Sequence, residues 1–158
     1  MDGLKPENRQ LLESRYRITV WVIYTQILLT LLLTIVAWQI VSKTEFTTTN
    51  QSLTMLWVAI IFIAIISFVL RRLFFNWERL RNLALLKGIS GVLGNLQINS
   101  IVLGAFAEIV AILGFVITIL SGNSFDMLRA SAIALIVFYI NFPRKKVWHR
   151  IVVNLQEV

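Results

Sequence analysis

Residues 98–120 read Ile98-Asn99-Ser100-Ile101-Val102-Leu103-Gly104-Ala105-Phe106-Ala107-Glu108-Ile109-Val110-Ala111-Ile112-Leu113-Gly114-Phe115-Val116-Ile117-Thr118-Ile119-Leu120, with Glu108 as the sole charged side chain. At a rise of about 1.5 Å per residue, such a helix crosses a hydrocarbon core of about 30 Å.

Three further runs have the same character: 18–41, 53–70 and 127–142. They account for a composition that is 58% hydrophobic with mean hydropathy +0.78, more apolar than water-soluble domains of this size. The fold class is therefore all-α, a polytopic membrane protein of four transmembrane helices forming a single membrane domain over residues 1–158. The fourth run is the shortest and carries Arg129 near its start, which leaves a re-entrant or interfacial segment as the alternative; the guanidinium reaches the surface by snorkelling. Residues 1–17 are polar and the run after them is too long for a signal-peptide core, so the first helix is expected to stay as an anchor.

The net charge of +7 flanks the spans rather than forming a nucleic-acid surface. Lys5, Arg9, Arg15 and Arg17 precede the first run. Arg71, Arg72, Arg79, Arg81 and Lys87 follow the second, and Arg144, Lys145, Lys146 and Arg150 follow the fourth; Lys43 and Arg129 fall on the other side. The positive-inside bias predicts a cytoplasmic N-terminus, central loop and C-terminus, with loops 42–52 and 121–126 outside. The expected location is a bacterial inner membrane, and no nucleic-acid partner is expected.

Amphipathic segments accompany the spans. Residues 1–17 look like a short interfacial lead-in carrying Leu4, Leu11 and Leu12, and residues 44–52 like a polar connector. Within 71–95, Leu73, Phe74, Trp77, Leu80, Leu83 and Ala84 recur at helical spacing beside arginines, predicting a cytoplasmic amphipathic helix with Phe74, Trp77 and Leu80 towards lipid or the bundle. Gly88, Gly91 and Gly94 are expected to loosen the chain before the third span, and Pro143 to end the fourth. A second amphipathic candidate carries Trp148, Ile151, Val152 and Leu155. Trp21, Trp38, Trp77 and Trp148 lie near proposed boundaries and read as interfacial anchors, with Trp57 deeper. The fragments 77–80 and 148–151 share a Trp-x-Arg-apolar pattern too short to define a repeat.

Glu108 is the main candidate for function. It lies about ten residues into its helix, near mid-bilayer, where a lipid-facing carboxylate is costly and the neutral form or a partner is favoured. Helical spacing places Gln97, Ser100, Gly104, Ala111 and Thr118 along its face, with Ala107 and Gly114 beside it; the small residues Gly104, Ala107, Ala111 and Gly114 let another helix approach. Gln26, Thr30 and Thr34 recur every fourth residue in the first span and are expected to offer the carboxyl group hydrogen bonds. Glu108 is thus the ion- or proton-binding candidate, and Gln26, Thr30, Thr34, Gln97 and Ser100 its supporting polar face.

The stretch from Leu103 to Ile117 resembles the ion-binding helix of rotary ATP synthase subunit c, which implies an ion-carrying role for Glu108 alone. The resemblance covers one helix, and the glycine-rich inner helix of that family has no counterpart, because 18–41 and 53–70 contain no glycine. The four-helix pattern ending in Asn141-Phe142-Pro143-Arg144 more closely resembles small bacterial membrane proteins with an acidic third helix, a likeness that implies no activity.

No catalytic residues and no cofactors are expected. Cysteine is absent, and the single histidine, His149, has only Glu157 as a nearby carboxylate, so neither a catalytic triad nor a multi-histidine metal site is legible. The expected function is a non-enzymatic scaffold or accessory subunit of a membrane complex, partnered by the bilayer and by another membrane protein or a second copy. A proton- or cation-linked transporter component using Glu108 is the alternative, and a lipid-acting membrane enzyme a further one.

Overall fold

The computed structural model describes residues 5–43 and 50–156. Five helices occupy them: α1 (Pro6–Val41), α2 (Asn50–Phe74), α3 (Trp77–Ser121), α4 (Ser124–Asn141) and α5 (Lys145–Gln156). Four apolar stretches, in α1, α2, α3 and the α4–α5 region, are long enough to cross a membrane, so the chain is an all-α, multi-pass membrane protein. The fourth run is a continuous helix rather than a re-entrant turn. The 18 residues of α4 reach about 27 Å, and Arg129, near its N-terminal end, pairs with Asp126 at 3.6 Å.

Most helix limits follow from local chemistry. Pro6 occupies the first turn of α1, where its missing N–H removes no helical bond. Asn76 caps α3 by accepting from the Glu78 N–H, and Asn123 caps α4 by accepting from the Phe125 N–H. Gly122 closes α3 in the left-handed conformation, at φ 66° and ψ 12°. Pro143 follows the end of α4 and keeps it from running into α5.

The segment between the second and third spans differs from a single amphipathic helix over 71–95. Leu73 and Phe74 finish α2, and the chain turns at 75–76 before Trp77 opens α3. Within α3 only Gly88 departs from helical geometry, at φ 64° and ψ −173°, a combination essentially confined to glycine. This bend separates residues 77–87 from a long arm over 89–121. Gly91 and Gly94 lie inside that arm instead of loosening it, so the helix containing the third span begins well before residue 98.

The bundle is built around α3 and α4. Both pack on α1 and on α2, whereas α1 and α2 make no close contact with each other among the described residues. Small side chains permit the central contact: Ala130, Ala134 and Ala111 are fully buried there, and a Cβ added at Gly114 would collide with the Cβ of Ala130. The outward faces of α1 and α2 carry Leu28, Leu31, Ile35, Val58, Phe62 and Ile65, which is the arrangement lipid requires.

At the end where α1 begins, Leu12, Leu80, Val92, Leu93, Leu96, Trp148, Ile151, Val152 and Leu155 form one buried cluster. The two amphipathic candidates and the lead-in therefore cover each other. Leu11 and Leu12 belong to this packing as part of a continuous α1, while Leu4 and the connector at 44–49 lie outside the described residues. Trp148 differs from its expected place as an interfacial anchor: it is 0% exposed, with Tyr16 edge-on at 5.7 Å between ring centroids. Trp21, Trp38 and Trp77 remain exposed, as anchors would, and Trp57 is half-buried.

Candidate functional site

Glu108 sits on the long arm of α3 at the edge of the seam with α1. These two helices run parallel, since Arg15 Nη1 donates to Gln97 Oε1 at 2.9 Å near the basic end and Gln26 meets Gly104 further along. The meeting is close because Gly104 lacks a side chain: an added Cβ would strike the Gln26 amide. One turn beyond, Glu108 is half-buried between the buried Ala107 and Ala111 on one side and the exposed Ile109 and Ile112 on the other.

The polar residues of α1 do not converge on its carboxyl group. Thr34 Oγ1 donates to the Thr30 carbonyl at 2.9 Å and lies 2.7 Å from Ser131 Oγ on α4, so the serine hydroxyl donates to the threonine. Thr30 is fully buried, and its Oγ1 has no partner; neither has Gln26 Oε1. No side-chain hydrogen bond or ion pair engages Glu108 among the described residues, which departs from the expected donation by Gln26, Thr30 or Thr34. Distance and competition account for the difference. Gln26 is drawn into the gap at Gly104, and Thr34 finds a hydroxyl on α4 instead.

Along the rest of the predicted face, Ser100 donates to the Leu96 carbonyl at 2.8 Å and Thr118 to that of Gly114 at 2.9 Å, so both hydroxyls are satisfied within α3. Gln97 is engaged by Arg15, towards the basic end. Gly104, Ala107, Ala111 and Gly114 are all buried at helix contacts, split between two neighbours: Gly104 faces α1, and Gly114 faces α4. The arrangement thus leaves a half-buried carboxyl group one turn beyond the Gln26–Gly104 contact, without a side-chain partner among the described residues.

Two interhelical polar contacts escaped the sequence reading. Ser131 anchors α4 to α1 through Thr34, and Asn141 Nδ2 donates to Ser67 Oγ at 2.7 Å, tying α4 to α2. The signal for both lies in the sequence, because Ser67, Ser131 and Asn141 are polar residues within or at the end of an apolar run. Asn99, 5% exposed with an unpartnered Nδ2, is a third such residue on α3. Comparisons with protein-family models, curated proteins and solved structures yield no match to this chain.

Proposed function

We propose that this chain is a non-enzymatic scaffold or accessory subunit of a membrane complex, and that the α1–α3 seam at Glu108 receives a helix of another membrane protein or of a second copy. The observation that carries this reading is the half-buried carboxyl group of Glu108, which has no partner from its own chain among the described residues. Intramembrane carboxyl groups pair with other polar groups or with the backbone rather than facing acyl chains, so a donor from outside the chain completes the site. The small residues beside it are taken up by α1 and α4, so the incoming helix meets the exposed Ile109 and Ile112 next to Glu108.

The basic residues assign the end carrying Arg71, Arg144 and the start of α1 to the cytoplasmic face of a bacterial inner membrane. Under this orientation an impermeant thiol reagent labels a cysteine at Asn123 in intact cells and leaves one at Asn82 untouched; the reverse pattern contradicts it.

A second reading has its own support. Gln26 Oε1, at Gly104 one turn from Glu108, and the buried Thr30 Oγ1 further along α1 are oxygen atoms without partners among the described residues, the donor type that hard cations use. Substitution separates the two. Glu108→Gln keeps the shape and hydrogen-bonding capacity and removes titration, so a scaffold retains its assembly in mild detergent, whereas Glu108→Leu disperses it. Loss of proton or cation flux in Glu108→Gln proteoliposomes, with assembly unaffected by Glu108→Leu, would favour transport instead.

A further inference from the structure

Where α2 ends and α4 gives way to α5, Arg71, Asn141, Phe142, Pro143, Arg144 and Trp148 help to wall a cavity of about 140 Å³. Arg71 is half-buried at the last turns of α2, and Arg144 lies between α4 and α5, near enough for the two guanidinium groups to repel. Neither has a carboxylate or other side-chain partner among the described residues: the ion pairs there are Arg129 with Asp126 and Lys145 with Glu13. Two like charges, Arg71 half-buried and Arg144 exposed, thus line one small space without a carboxylate partner among the described residues.

Trp148, which helps to wall the cavity, carries a buried donor. Trp148 is 0% exposed, and its indole Nε1–H has no hydrogen-bond partner. Buried indole N–H groups are ordinarily satisfied, so this one requires an acceptor. Asn141, 7% exposed, donates Nδ2 to Ser67 Oγ at 2.7 Å and leaves its Oδ1 without a partner among the described residues; because the serine hydroxyl can also donate, exchanging the amide oxygen and nitrogen keeps the contact with Ser67 and puts the NH2 group where that oxygen stands. The start of α5, where the Arg144 carbonyl accepts from the Val147 and Trp148 N–H groups, adds positive potential at this point. Two cations, an orphan donor and a helix start without any acid define the chemistry of an oxyanion that accepts several hydrogen bonds.

We propose that Arg71, Arg144 and the Trp148 indole N–H bind a phosphate group, carried by a membrane phospholipid. The height of the cavity favours a lipid source, because it lies where the apolar runs of α2 and α4 end and the basic residues begin, the level of headgroups. Guanidinium groups match phosphate by paired N–H donors, and fixing one phosphate between Arg71 and Arg144 relieves their repulsion.

The test uses the full chain purified in mild detergent, with phosphatidylglycerol and the phosphate-free diacylglycerol as probes in native mass spectrometry. The wild type is expected to hold one phosphatidylglycerol at least about tenfold more tightly than diacylglycerol, and R71Q/R144Q to lose that preference. K146Q/R150Q removes the same charge outside the cavity and keeps the preference; Trp148→Phe preserves the packing and weakens binding about threefold by removing one hydrogen bond. Inorganic phosphate at constant ionic strength supplies the other arm. Thermal stabilisation of the wild type but not of R71Q/R144Q by phosphate, without preference for phosphatidylglycerol, supports the phosphate site and overturns the lipid source. Equal binding of both probes by wild type and R71Q/R144Q, or equal losses in R71Q/R144Q and K146Q/R150Q, overturns the site.

Discussion

Trp148→Ala is expected to release α5 from the bundle and to destabilise the basic end by about 3–5 kcal/mol, the cost of emptying a site filled by a large buried aromatic. The size of the effect follows from what surrounds the indole. It is fully buried among Leu12 of α1, Leu80, Val92, Leu93 and Leu96 of α3, and Ile151, Val152 and Leu155 of its own helix. Tyr16 packs edge-on against it, and the Tyr16 hydroxyl donates to the Pro143 carbonyl at 3.3 Å, so the same contact fixes the turn into α5. By contrast, the exposed Lys145–Glu13 pair at 3.2 Å contributes little to holding that helix. Limited proteolysis in detergent should show cleavage at α5 in Trp148→Ala at protease levels that leave the wild type intact. If α5 instead rested on lipid, the variant would resist cleavage like the wild type and unfold at the same temperature.

The second large effect concerns the centre of the bundle. At Gly114 there is no room for any side chain, because even a Cβ would overlap the Cβ of Ala130 and approach its Cα. Gly114→Leu must therefore drive α3 and α4 apart, at a cost of at least about 1–3 kcal/mol, the range for overpacked interiors. Separation also strains the Thr34–Ser131 hydrogen bond, which sets α4 against α1. A matched control is Val116→Leu, whose side chain is 38% exposed and has space to extend. Unfolding in mixed micelles by increasing sodium dodecyl sulfate should begin at a lower detergent fraction for Gly114→Leu and be unchanged for Val116→Leu. Coincident curves for Gly114→Leu and wild type would mean that the close α3–α4 contact is not formed.

The four spans were legible because length and apolarity are properties of each helix alone, set by the thickness of the bilayer. Which side of each span meets protein was not. In α1, leucine, isoleucine and valine line both faces, so lipid and protein impose the same composition and the periodicity that marks a buried face in water disappears. Glycine and alanine were the better guide: Gly104, Ala107, Ala111 and Gly114 all mark contacts, although their sequence spacing did not reveal that Gly104 serves α1 and Gly114 serves α4.

The amphipathic segments were legible as faces and not as partners. Trp148, Ile151, Val152 and Leu155 are on one side of α5 as their spacing implied, but an apolar face near a membrane is covered equally well by lipid or by protein, and here α1 and α3 cover it. Of Gly88, Gly91 and Gly94, nothing in the local sequence singles out the one that breaks the helix; the positive φ at Gly88 is set by the direction the chain must take to pack residues 77–87 against that cluster. Glu108 was conspicuous from composition alone. Its lack of a side-chain partner among the described residues was not, because that depends on Gln26 settling at Gly104 and on Thr34 meeting Ser131.

The proposed role rests on a second helix reaching the α1–α3 seam, and photo-crosslinking from that seam tests it most directly. A benzophenone amino acid placed at Ile112, exposed one turn beyond Glu108, should in intact membranes yield one defined adduct with another protein or a second copy, and that adduct should disappear in Glu108→Leu and persist in Glu108→Gln. The same probe at Phe62 on the outer face of α2 should give none. Adducts with lipid only at Ile112, or a protein adduct indifferent to Glu108→Leu, would contradict the account.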